Sequence, residues 1–328
     1  MKNKQGIRAI IALLSIMLLI VDNKCALNGA KQGLDLCVRT VIPSLFPFFF
    51  LSMMLTTSME NEDSKLLRRL SGYVNIPKAA APIVVPAFLG GYPVGAKSVA
   101  DMYRNGILTK QMAEKLLAFC SNAGPSFLFG MVSVFFPDKK MVWKLWVIHI
   151  LGALFVANIY PRTGQDEIEP HSSQHILCQK DLMLSSLSAI GIVCGWVILF
   201  RILISFLNQY VFGILPPWIQ VVVIGILELS NGCCELMRIS DVGLRFVICS
   251  SMLAFGGVCV LLQTISVLQG LSVRHYLIGK SIQSIFSLIL STAAIKKPEL
   301  LYISIVAFLL GIPFKQKIKG RNLRVYPV

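Results

Sequence analysis

The chain has 328 residues, of which 55% are apolar and 14% charged, and its mean hydropathy is +0.71. A soluble domain carries about 25% Asp, Glu, Lys and Arg, so much of the apolar surface here has lipid as its solvent. That excludes a cytosolic enzyme, a secreted disulfide scaffold and a disordered chain. The net charge is +15, from 31 Lys and Arg against 16 Asp and Glu, but the basic residues are scattered through short loops beside apolar runs. Such charges mark cytoplasmic faces and anionic lipid, not nucleic acid.

Taken in order, Ile7–Val21 is a short apolar run between Lys2, Lys4 and Arg8 and the polar Asp22, Asn23 and Lys24. No A-x-A cleavage pattern follows it, so it reads as a signal anchor lengthened by snorkelling of Arg8 and Lys24. Ala26–Arg39 sets Leu27, Leu34, Leu36 and Val38 among polar residues, an amphipathic pattern expected to lie along the membrane surface. Together these make a leading unit, 1–40.

A crossing needs about 20 apolar residues. Further crossings are expected at Val41–Ser58, Phe119–Phe136, Val142–Tyr160, Leu182–Leu207, Leu244–Gln269, Tyr276–Ile295 and Leu300–Phe314, for eight in all. An even count returns the carboxyl end to the side of the amino end. Both ends are basic, the tail carrying Lys315, Lys317, Lys319, Arg321 and Arg324, so both are expected in the cytoplasm. The polar loop 161–181 falls on that side too. Its acids, Asp166, Glu167, Glu169 and Asp181, run against the assignment, although the rule weighs Lys and Arg and gives acids little weight.

Two apolar stretches cannot be plain helices. Pro77–Ala100 contains Pro77, Pro82, Pro86, Gly90, Gly91, Pro93 and Gly95. Leu215–Leu236 opens with Pro216 and Pro217, carries Glu228 and ends near Asn231 and Gly232. Proline removes a helical donor and glycine allows backbone angles that helices do not use. Irregular backbone at membrane depth survives only where protein or a wet cavity satisfies it, so both stretches read as re-entrant hairpins or broken helices. Ser121–Ser126 and Phe255–Gly257 interrupt two later helices in the same way.

The chain then divides into a first repeat at 41–160, the loop 161–181, a second repeat at 182–295, and a last helix with a basic tail at 296–328. The expected fold is all-α and polytopic, with about eight full crossings plus two broken hairpins in two inverted repeats. Paired Gly/Pro-interrupted segments at matching places in two halves point to a secondary-transport site. Half-helix amino ends hold anionic groups, while unwound carbonyls hold cations. The candidate solute shell is therefore Gly90, Gly91, Tyr92, Pro93, Gly95 and Lys97 with Asn122, Gly124, Pro125 and Ser126. The second half adds Glu228, Ser230, Asn231, Gly232, Gly256, Gly257 and Gln263.

Each member has a plainer role beside the functional one. The glycines serve close helix packing, Ser121, Asn122 and Ser126 cap a broken helix, and Tyr92 anchors at an interface. Glu228 ends a helix in water, and Lys97 faces the cytoplasm. Arg201 reads as a boundary residue before a solute ligand, and His149 as a lone span histidine before a proton relay. The nine cysteines include no C-x-x-C and read as small buried hydrophobes. His171, His175 and Cys178 have metal-compatible spacing but sit in a solvated linker. No metal or other cofactor is expected, and a coupling Na+ or H+ stays open. The partners are membrane lipid, a small-molecule solute and a second copy in a homo-oligomer. There is no G-x-S-x-G, H-E-x-x-H, P-loop or dinucleotide fingerprint, so no enzyme is expected.

The segments Pro43–Phe48, Gly90–Lys97, Phe119–Pro125 and Phe129-Gly130 resemble the sporulation integral membrane protein family of the YlbJ type. Glu228–Gly232 and Phe255–Gln263 resemble that family's second half more loosely. The resemblance spans about Ala26 to Ile295. It implies a nucleoside-recognition, or gate, domain similar to concentrative nucleoside transporters, with the solute between hairpin tips and unwound helices. It also implies a role in spore formation, moving dipicolinate across a cell membrane around the forespore. The side chains that read ribose and base in nucleoside carriers are not evident in this chain. A non-transporting scaffold for other spore-envelope proteins is the alternative.

Overall fold

The computed structural model describes residues 2–59, 67, 71, 72, 76, 78–159, 179–268 and 270–306. Among them every regular element is helical. Helix α1 is Lys2–Val21, and α2 is Asn23–Leu36. Asp22 caps α2 by accepting from the Cys25 amide at 3.0 Å, the usual part of a short acidic side chain at a helix start. A π-turn at Cys37–Val41 carries α2 into α3, Ile42–Met59.

The 33 residues Asn23–Leu55 form one continuous helical run, long and apolar enough to cross a membrane, and the amphipathic segment Ala26–Arg39 makes up its first half. The run packs antiparallel along α8, Gln179–Tyr210. Gln209 and Tyr210 reach Asp22 at one end, and Ser186 reaches Met53 at the other. Gly29 and Gly33 explain the pairing, because a Cβ on them would stand 2.8 Å from the Ile202 Cα and 2.9 Å from the Ile198 Cα. Small residues four apart let two helix backbones approach in lipid. On the exposed side of the pair, Gln32 accepts from Arg201 of α8.

The first hairpin comprises a 3-10 turn at Lys78–Ile83, α4 at Val84–Phe88, and α5 at Val94–Arg104, with its tip at 89–93. Helix α6 is Lys110–Leu116, and an irregular stretch at 121–124 leads into a π-turn, Phe127–Met131, and a 3-10 turn, Val132–Phe135. The expected crossing at Phe119–Phe136 is thus interrupted at 121–124 and resumes as short helical turns. Asn122, Gly124 and Pro125 prevent a continuous ladder there, and the interruption falls where the sequence placed it. Helix α7 is Lys139–Ile159.

After α8 the second hairpin pairs α9, Pro217–Leu227, with α10, Leu229–Glu235, across Glu228. Helix α11, Val242–Phe255, breaks at Gly256 and continues as α12, Gly257–Val267. Helix α13 is Arg274–Lys296. Together with Asn23–Leu55, the helical runs Lys139–Ile159, Asp181–Tyr210, Val242–Val267 and Arg274–Lys296 make five among the described residues that are long and apolar enough to cross a membrane. They overlap five expected crossings, Asn23–Leu55 starting well before the expected Val41–Ser58. The apolar part of α1, Ala12–Val21, is shorter. The expected last crossing is described only to residue 306, and the loop residues His171, His175 and Cys178 and the basic tail lie outside the described residues. Outward faces carry exposed Leu14, Leu199, Ile285 and Ile289, as lipid requires.

Candidate solute site

The first tip and the first break are built against each other. Gly91 has φ +77°, a left-handed turn that favours glycine. A Cβ on Gly124 would stand 3.0 Å from the Gly91 Cα and 3.1 Å from the Leu89 carbonyl oxygen, so the two backbones touch. A Cβ on Gly95 would overlap the Cys120 carbonyl oxygen, and one on Gly90 would come within 2.9 Å of the Pro86 oxygen. Asn122 secures the joint by donating to Ala87 O at 3.0 Å and Phe119 O at 2.7 Å. The Tyr92–Pro93 peptide is cis.

Tyr92 links this joint to the second break. Its hydroxyl donates to Leu253 O at 3.2 Å, and its ring fills the space where a Cβ on Gly256 would stand, 3.2 Å away. Gly256, at φ +83°, ends α11 and begins α12. Gly257, at φ +87°, sits against the second hairpin, a Cβ there falling 3.0 Å from Gly225 O and 3.1 Å from Ile226 O. Both breaks therefore rest on the hairpin that precedes them, and Tyr92 bridges from the first tip to the second break.

Sequence reasoning missed the centre of this assembly. Lys280 and Gln283, on α13, are wholly buried. Lys280 Nζ donates to Gln283 Oε1 at 2.7 Å, Asn122 Oδ1 at 3.2 Å and Tyr92 Oη at 3.4 Å. Gln283 donates to Asn122 Oδ1 and to His149 O, each at 3.1 Å. His149, 1% exposed, accepts from the Ala123 amide at 3.1 Å, so its proton sits on Nδ1, which has no hydrogen-bond partner among the described residues. Ser121, Ser126 and Ser287 also have buried hydroxyls without one. A signal was present in the sequence: Lys280, Gln283, Ser287 and Ser291 recur at helical spacing on one buried face.

Glu228, Ser230 and Asn231 form a second cluster. Glu228, 2% exposed, accepts from the Ser230 amide at 2.9 Å and from the Asn231 amide and side chain at 2.6 and 2.7 Å. It caps α10, with its carboxylate turned onto its own helix. Gly232 packs on Gly225 between α10 and α9. Gln263 donates to Cys259 Sγ at 3.2 Å. Arg201 pairs with Glu235 at 3.3 Å and donates to Gln32, tying α2, α8 and α10 together. No described hydrogen bond joins the Glu228 cluster to Lys280. Lys97 and Pro93 face a separate groove of about 280 Å³ that Ser185 and Ser188 of α8 also line. Pro125 starts the helical turn after the break, and Ser126 follows it.

Described residues whose regular elements are all helical, with five such helices among them and two broken hairpins folded into the interior, define a polytopic membrane protein. No family model matches it, and no solved structure does. It is similar to the sporulation integral membrane protein YlbJ of Bacillus subtilis (strain 168), with 24% identity over 316 residues, covering 80% of this chain and 76% of that protein. This similarity supports the YlbJ-type assignment drawn from the sequence motifs.

Proposed function

We propose that the chain is a membrane carrier of the gate-domain type that moves a small anionic or heterocyclic solute, with dipicolinate the candidate, by alternating access during spore formation. One observation carries the reading. The tip of the first hairpin and both helix breaks converge on Tyr92, Asn122 and Gly256 inside a membrane protein, where unwound backbone needs a purpose.

In this reading the first hairpin is the moving part. The hairpin is tied to the rest by the Tyr92 hydroxyl on Leu253 O and Lys280 on Tyr92 at its tip, and by the Asn122 amide on Ala87 O in α4. Each such bond contributes about 1 kcal/mol net, so releasing the tip costs a few kcal/mol. That is the gap at which a second conformation is populated and a ligand can shift the balance. The solute leaves chemically unchanged, and the site lies in a cell membrane around the forespore. Purified protein in vesicles should bind and accumulate labelled dipicolinate or a nucleoside. Protein that binds neither and moves neither refutes the reading, and binding without movement favours a scaffold.

A further inference from the structure

Lys280 has no acidic partner among the described residues. It is 0% exposed on a membrane-crossing helix. A lone charge at membrane depth costs several kcal/mol, so its surroundings must answer it. Three oxygens do, from three places in the chain: Tyr92 Oη at the hairpin tip, Asn122 Oδ1 at the first break and Gln283 Oε1 on α13.

Their directions are fixed. The Asn122 amide nitrogen is engaged by Ala87 O and Phe119 O, and that of Gln283 by His149 O and Asn122 Oδ1. The Tyr92 proton goes to Leu253 O. Every donor of the three is thus spent elsewhere, and each turns an oxygen lone pair to one point. An ammonium has three N–H donors and no acceptor, so the match is one to one. The Tyr92 ring centroid lies 5.3 Å from Nζ, within reach of a cation–π attraction. Neutral oxygens plus a ring face are a coordination shell for a monovalent cation.

We propose that the Tyr92–Asn122–Gln283 cradle is a monovalent-cation site that the protein fills with its own Lys280 ammonium, so that solute movement requires no Na+ or other metal cation at this centre. The role in movement rests on the carrier reading, while the occupancy of the cradle does not. With the three oxygens of the cradle turned to Lys280, its ammonium occupies the point a second cation would need and repels one by like charge.

The test uses the full-length protein in detergent, as wild type, Lys280→Ala and Lys280→Met, in Na+, methylammonium or the bulky N-methyl-D-glucamine. The wild-type melting midpoint should be the same in all three. Lys280→Ala should melt at least about 5 °C lower and regain half of that loss or more in methylammonium, which fits the vacated cradle, but none in N-methyl-D-glucamine. Lys280→Met, whose side chain fills the stem volume, should fall without rescue. A wild-type midpoint raised specifically by Na+, an unshifted Lys280→Ala, or a loss that methylammonium does not restore overturns the proposal. If neither variant folds, the wild-type comparison alone decides it. Dipicolinate uptake separates the two readings: uptake that needs Na+ defeats the cradle and keeps the carrier, whereas no uptake in any salt defeats the carrier and leaves the melting results standing.

Discussion

Gly95→Ala tests whether the first hairpin and the first break form one packed joint. The added Cβ would overlap the Cys120 carbonyl oxygen and stand 3.0 Å from the Cys120 carbonyl carbon and 3.2 Å from the Ala87 Cα. These are backbone atoms, so no side chain can swing aside. Retreat is blocked on the far side as well, since Gly279 of α13 lies against Ala118, where a Cβ would overlap the Ala118 carbonyl. Residues 118–120 are thus held between two glycines. Overpacking of a fixed core costs about 1–3 kcal/mol, and this site belongs at the upper end. At roughly 2–4 °C per kcal/mol for a chain of this order, the melting midpoint of the detergent-purified protein should fall by about 5–10 °C. Gly191→Ala and Gly195→Ala on α8 are the controls, because a Cβ at either meets nothing within 4 Å. Removing glycine from a helix interior there should leave stability equal or raise it by up to about 1 kcal/mol. A Gly95→Ala protein that melts with the controls refutes the joint.

Two further substitutions probe the other polar ties. Arg245, buried on α11, donates to Ile239 O at 2.7 and 3.1 Å and to Phe135 O at 2.9 Å. Arg245→Met should cost about 3 kcal/mol by stripping two buried carbonyls of a charged donor, and a denaturation series in which it matches wild type contradicts that. Glu228→Leu should cost about 2 kcal/mol and Glu228→Gln about 1, because glutamine keeps one acceptor for the amides of Ser230 and Asn231. Hydrogen exchange at those two amides reads the effect, and unchanged protection in Glu228→Leu would show that the cap is idle.

Much of the architecture was legible because lipid enforces simple rules. A run such as Leu182–Leu207 has no alternative to a helix, and prolines and glycines at 86–95 and 121–126 admit no unbroken one. What escaped were features decided by neighbours. Ala26–Arg39 reads as an amphipathic helix by its polar residues, but its packing on α8 through Gly29 and Gly33 is not legible there, because that pairing needs the partner's identity. Phe119–Phe136 is apolar enough to cross, but no hydropathy sum contains the demand of the Gly91–Gly124 contact. Lys280 lies within the expected crossing Tyr276–Ile295, and hydropathy alone does not mark it as central. Only the three acceptors gathered from Tyr92, Asn122 and Gln283 distinguish a central cation from a snorkelling one.

The central claim is that the Asn122 joint is where a solute passes. Its most direct measurement is uptake of labelled dipicolinate by cells expressing the gene, by cells carrying an empty vector, and by cells making Asn122→Leu at matched protein levels. The account predicts uptake several-fold above the empty vector for the wild type and none above it for Asn122→Leu. Equal uptake with and without the gene, or undiminished uptake by the substituted protein, contradicts it.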